Sequence, residues 1–161
     1  MDGVIVIDKP EGWTSHDVVG KVRRIARTKR VGHLGTLDPI ATGVLPLVIE
    51  RATRLAQFYV KSDKIYEGRV QFGWSTSSYD RASEPTSEKM DVQLSCAQLE
   101  AAMEAFRGEI DQRPPAVSAK KVDGRRSYEL ARQNIAVELP LVRVHIYDLS
   151  LLELNGSEAR M

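Results

Sequence analysis

The chain has 161 residues, 42% hydrophobic and 28% charged, which suits one domain with a sizeable core and is ordinary for a soluble protein. It has no apolar run long enough to span a bilayer, no basic-then-apolar opening of the secretory kind, and Cys96 as its lone cysteine. A cytoplasmic protein without membrane contact or internal disulfide is expected, and the net charge of +1 by itself argues neither for nor against a nucleic-acid partner.

In chain order, residues 4–7 read as a short buried strand ended by the turn composition Asp8-Lys9-Pro10-Glu11-Gly12. Thr14 and Asp17 form a capping signature, and a helix is expected to about Thr28, with Val18, Val22, Ile25 and Ala26 on its apolar stripe. A glycine-rich loop, a strand over 44–49 and a short helix over 52–59 follow. Residues 64–72 alternate as a half-buried strand, and 74–94 read as a long surface loop. Ser95 and Gln98 open a helix with Leu99, Ala102, Met103 and Phe106 on its core stripe, stopped by Gly108. Residues 114–126, with paired prolines, four Lys/Arg and an Asp123-Gly124 turn, suggest an exposed basic hairpin or flap, and a short helix around 128–133 follows. Residues 142–154 form the longest strand candidate. The pattern is α+β, with a mixed, largely antiparallel sheet flanked by helices.

Charge is unevenly spread. Residues 1–60 carry nine Lys/Arg against six Asp/Glu, and 61–161 carry fourteen against sixteen. Lys21, Arg23, Arg24, Arg27, Lys29 and Arg30 cluster just before the glycine-rich loop, as phosphate contacts or as a solvated helix face. Three scattered histidines and one cysteine offer no metal-ligand spacing.

The stretch Gly32-His33-Leu34-Gly35-Thr36-Leu37-Asp38-Pro39-Ile40-Ala41-Thr42-Gly43 gathers three glycines around one carboxylate. Glycine permits positive φ and close approach, and Pro39 pushes Asp38 towards extended backbone. Two readings fit these features, a positioned acid and an Asp-Pro turn between helix and strand.

The segment Gly32–Pro39 resembles the catalytic motif of the TruB family, the tRNA pseudouridine-55 synthases. The opening Gly3-Val4-Ile5-Val6-Ile7-Asp8-Lys9-Pro10-Glu11-Gly12-Trp13-Thr14-Ser15-His16-Asp17-Val18-Val19 resembles that family's start. Ala52-Thr53-Arg54-Leu55, Lys64-Ile65-Tyr66 and Pro114–Gly124 follow in the family's order. The resemblance implies a pseudouridine synthase fold and isomerisation of uridine in the tRNA T-loop, by breaking the C1′–N1 bond, rotating the base and rejoining it through C5. Such chemistry needs neither cofactor nor metal, only a carboxylate in a site that excludes water.

By the resemblance Asp38 is that carboxylate, and Tyr66 is the active-site tyrosine that stacks on the target base and helps remove the C5 proton. His33 matches the histidine that packs where the flipped uridine leaves the stack. Arg23, Arg24, Arg27, Lys120 and Lys121 are the candidate phosphate contacts, tRNA through its T-arm is the expected partner, no protein partner is implied, and a monomer is expected. His16 is expected to serve loop packing and His145 a strand face.

The resemblance also implies a chain that is the N-terminal portion of a catalytic domain, with a flap-like RNA-contacting insertion about 110–135. In this view the returning strand after Asn155-Gly156 has barely started, leaving an apolar edge, and an arginine partner for Asp38 lies beyond Met161. Two departures stand out: Glu50 where the family has a glycine, and Gln133-Asn134 where a glycine usually follows Ala131-Arg132. Rival readings are a guide-RNA-dependent synthase, which usually has residues before the Asp-Lys-Pro opening, and a non-catalytic RNA-binding or RNA-folding module. A P-loop nucleotide binder is disfavoured, because the loop has no Gly-Lys-[Ser/Thr].

Overall fold

The computed structural model describes residues 2–59, 62–113, 121, 122, 125, 126 and 140–161. It divides into two compact units, Met1–Ile65 and Tyr66–Met161. The α+β class holds, and among the described residues every strand pairing is antiparallel, in four small sheets rather than one mixed sheet.

In the first unit β1 (Gly3–Lys9), β2 (Val31–His33) and β3 (Gly43–Ile49) form a sheet in the order β1-β3-β2. Helix α1 (Ser15–Ala26) runs between β1 and β2 in sequence. The register sets Ile5 opposite Leu47, Ile7 opposite Leu45 and Val31 opposite Ile49, so these side chains share one face. With Val18, Val19 and Val22 of α1 they make the core of this unit. Alternation sends Val4 and Val6 to the other face, where they are 48% and 64% exposed. The fully buried strand expected there is therefore buried on one face only.

The expected capping box is formed. The Asp17 amide donates to the Thr14 hydroxyl at 3.0 Å, while Thr14 N–H and O–H donate to the Asp17 carboxylate at 2.8 and 2.6 Å. These bonds from Thr14 hold the Asp17 carboxyl below the usual carboxylate range. The buried stripe is Ser15, Val18, Val19 and Val22. Ile25 is 70% exposed, contrary to expectation. The residue that turns inward near the helix end is the half-buried Arg23, whose Nη2 donates to the Val31 carbonyl at 3.0 Å.

A 3-10 turn, Glu50–Leu55, and α2 (Ala56–Tyr59) follow β3. Glu50 adopts φ 53°, a left-handed conformation that glycine reaches without steric cost. Its backbone amide donates to the Arg30 carbonyl at 2.8 Å, its carboxylate accepts from the Thr28 hydroxyl, and Arg30 lies 3.9 Å away.

The second unit comprises β4 (Arg69–Gln71), α3 (Cys96–Met103), a 3-10 turn at Glu104–Phe106, β5 (Gly108–Gln112), β6 (Lys121–Val122), β7 (Arg125–Arg126), β8 (Val142–Ile146), β9 (Glu153–Asn155) and β10 (Glu158–Arg160). The strand expected over 64–72 shrinks to three exposed residues, Arg69, Val70 and Gln71 in register with β10, with backbone bonds from Gly68 to Met161 and from Phe72 to Ser157 at its ends. The strand expected over 142–154 is instead β8 and β9. Between them the Leu149 carbonyl accepts from Arg107 Nε and Nη2 at 3.1 and 2.6 Å. The strand after Asn155-Gly156, expected to have barely started, is the centre of the sheet β4-β10-β9. It buries Ala159 completely, against Leu99 and Met103.

Helix α3 keeps its Ser95–Gln98 capping box, with Leu99 and Met103 buried. Phe106 falls in the 3-10 turn, where the tighter winding takes it off the stripe, and it is exposed; Ala102 is exposed too. Strands β6 and β7 pair antiparallel on either side of Asp123-Gly124, which lies outside the described residues, as does the helix expected around 128–133.

The backbone at Glu50 generates a prediction. Glu50→Ala keeps the left-handed strain and loses the carboxylate contacts, so stability falls by about 1 kcal/mol. Glu50→Gly loses the same contacts but relieves the strain, and melts within about 0.5 kcal/mol of the parent. Thermal melts of both variants test this; an alanine variant as stable as the glycine variant contradicts it.

Candidate active site

Asp38 lies on the β2–β3 connection, flanked by Gly35 and Gly43 with φ of 149° and 123°. These values suit glycine, and they let the chain leave one strand and enter the next around a short projecting turn. The turn is closed by the Ala41 amide donating to the Asp38 carbonyl at 3.0 Å. The Asp38 side chain is exposed and has no hydrogen-bond partner among the described residues.

Both neighbours of Asp38 are pinned to the β1–α1 segment. The buried Ser15 hydroxyl donates to the Leu37 carbonyl at 3.1 Å and accepts from the Leu37 amide at 2.9 Å. On the other side the Pro39 carbonyl accepts from the Gly12 amide at 2.7 Å and from Lys9 Nζ at 3.5 Å. Lys9, expected in a solvated turn, is instead the last residue of β1 and fully buried. Its ammonium also donates to the carbonyls of Pro10 at 3.0 Å and Trp13 at 2.7 Å. Three carbonyl acceptors satisfy the three donors of a desolvated ammonium. Leu37 itself packs against the core. The carboxylate thus projects from a backbone fixed on both sides.

His33 ends β2, is half-buried, and directs Nδ1 at the Gly35 carbonyl, which orients its ring on the connection that carries Asp38. Tyr66 is the first residue of the second unit and is 75% exposed, ahead of β4 and outside any helix or strand. Of the basic candidates, Arg24 and Arg27 are exposed, whereas Arg23 is held by the Val31 carbonyl. Lys120 lies outside the described residues, and of Lys121 the pairing with Arg126 is described. His16 is exposed rather than packed into a loop, and His145 sits on the open face of β8, stacked on Tyr147 at 4.4 Å between ring centroids. Among the described residues no cluster of His, Cys, Asp or Glu has the geometry to hold a metal ion, and no helix is long and apolar enough to cross a membrane.

Sequence reasoning gave Lys9, Gly12 and Ser15 no individual role. The one legible signal was their place in the opening segment that resembles the family's start. Their function is to hold Leu37 and Pro39, and the Leu37 amide reports on it directly. Ser15→Ala removes both bonds to Leu37, so exchange of that amide with solvent accelerates about fivefold, from the loss of roughly 1 kcal/mol of local protection. Hydrogen exchange measured residue by residue checks this, and unchanged protection of Leu37 overturns it.

Comparison with known proteins identifies the family. A sequence model described as TruB family pseudouridylate synthase (N terminal domain) matches residues 23–161. A protein of Solibacter usitatus named tRNA pseudouridine synthase B is 79% identical over all 161 residues, which cover 55% of its length. The protein of the same name from Aquifex aeolicus is 47% identical over 158 residues, 98% of this chain and 55% of the relative. The chain therefore spans about half the length of these relatives. Among solved structures, a Cbf5-Nop10-Gar1 complex contains a chain similar at TM-score 0.69 and 30% identity, covering 98% of this chain and 37% of that one. A box H/ACA ribonucleoprotein bound to a substrate RNA containing 2′-deoxyuridine gives 0.66 and 26%, covering 98% and 36%. With a family match over most of its length and a fold shared with these structures, the chain belongs to the TruB family of pseudouridylate synthases.

Proposed function

We propose that the protein carrying this chain converts uridine to pseudouridine in the T-loop of tRNA, by flipping the base out and acting on it through Asp38. The observation that carries the reading is the presentation of Asp38. It is an exposed carboxylate on a turn pinned by Ser15, Gly12 and Lys9, in a chain 79% identical to a protein named tRNA pseudouridine synthase B. A fixed backbone on both sides limits the reorganisation needed when the acid meets the uridine. Tyr66 supplies an aromatic face for the base and a phenol for proton transfer at C5, and His33 fills the space the base leaves. Arg24 and Arg27, with Lys120 and Lys121, meet phosphates.

The similar chains from box H/ACA ribonucleoproteins raise the guide-RNA-dependent reading, at 26–28% identity. The far higher identity to tRNA pseudouridine synthase B favours free tRNA as the substrate; the reading places its action in the cytoplasm and takes a monomer as the working form.

In the full-length protein, Asp38→Asn abolishes product while tRNA affinity stays within about tenfold, because the carboxylate acts mainly in the transition state. Tritium release from 5-tritiated uridine in a T-loop transcript reads this, and turnover by the variant, free of wild-type contamination, refutes the role. Replacing Arg24 and Arg27 with Ala flattens the salt dependence of tRNA binding by up to about 0.9 in log–log slope per lost duplex phosphate contact. A slope equal to wild type returns this helix face to simple solvation.

A further inference from the structure

The outer side of α1 carries a second feature, whose side chains neither the core nor the bonds to the Asp38 turn use. His16, Gly20 and Arg24 follow one another at intervals of four residues and so share one face of the helix, and Trp13 stands just ahead of its first turn. Together with Gly12 and Asp17 they line an open groove of about 540 Å³. Gly20 adds no side chain to the lining.

Glycine within a helix is destabilising relative to alanine, so its presence calls for a reason. Gly20 sits in the body of α1 and is not among the glycines with positive φ, so no backbone conformation requires it. Among the described residues, no other part of the chain lies within 4 Å of the position a Cβ would take. The open position permits close approach from outside.

We infer that this groove is an RNA subsite, in which a nucleotide base lies against the Trp13 indole and the adjoining phosphate meets Arg24. Aromatic faces interleaved with cations are the chemistry of nucleic-acid strands, since stacking accepts any base and the guanidinium accepts phosphate oxygens. The one acid lining the groove, Asp17, is committed to the capping bonds from Thr14. Exposed Lys21 and Arg27 extend the positive charge along the helix. A protein partner is disfavoured, because Trp13 is the only large apolar residue in the lining. The inference rests on the reading that the protein acts on tRNA, and adds a contact separate from the Asp38 turn.

The test measures Kd for a tRNA transcript with full-length wild type, Trp13→Ala, Gly20→Leu and Gly20→Ala, alongside melting curves and pseudouridine formation. Trp13→Ala removes a partly exposed indole whose backbone carbonyl still serves Lys9, and Gly20→Leu fills the groove. Each raises Kd at least about fivefold, the lower range for loss of one stacked base. Gly20→Ala raises the melting temperature, as expected for a glycine the fold does not need. Kd values for Trp13→Ala and Gly20→Leu within twofold of an active wild type overturn the groove while leaving the catalytic reading intact. A fall in melting temperature for Gly20→Ala overturns it as well, by showing that the glycine serves the fold. Wild type that binds no tRNA removes both readings together.

Discussion

The geometry of the candidate site depends on one clasp, the hydrogen bonds between the β1–α1 segment and the two residues beside Asp38. Ser15 holds Leu37 through both its amide and its carbonyl, and Gly12 with Lys9 holds the Pro39 carbonyl. An isolated turn bearing an acid samples many orientations, and ordering each backbone residue costs roughly 1–2 kcal/mol. Here that ordering is already achieved by contacts formed on folding. The acid is left free because its neighbours are not.

The clasp explains why Lys9 is buried. A lysine without a carboxylate beside it is an expensive core residue unless each ammonium proton finds an acceptor. The carbonyls of Pro10, Trp13 and Pro39 provide three, drawn from two segments far apart in sequence. One side chain thus closes the end of β1, shapes the loop that enters α1 and fixes the turn of Asp38. Placement of the acid and packing of the first unit are the same event.

Glu50 shows a different compensation. The family's glycine at this position corresponds to a left-handed backbone, and this chain keeps the conformation without the glycine. The carboxylate recovers part of the strain by reaching Thr28 and Arg30, on the segment between α1 and β2. The departure seen in sequence is therefore a local exchange of conformational ease for side-chain contacts, away from the Asp38 turn.

The amino-acid sequence by itself determined the capping boxes, the apolar strand that became β3, the Val18 and Val22 positions of the α1 stripe, and the Asp38 motif. These follow from local propensity, periodicity and short-range chemistry, which need no knowledge of distant partners. It also pointed to His33 and Tyr66 through resemblance alone. Tertiary structure decided where strands stop, since β4 extends only as far as β10 accompanies it, and Arg107 at the Leu149 carbonyl marks the gap between β8 and β9. It placed Ile25 outside and Lys9 inside, against the preference of each residue type. It alone revealed Ser15 and Gly12 as supports of the acid, because the Ser15 bonds join residues 22 positions apart and nothing periodic or compositional records such a pairing.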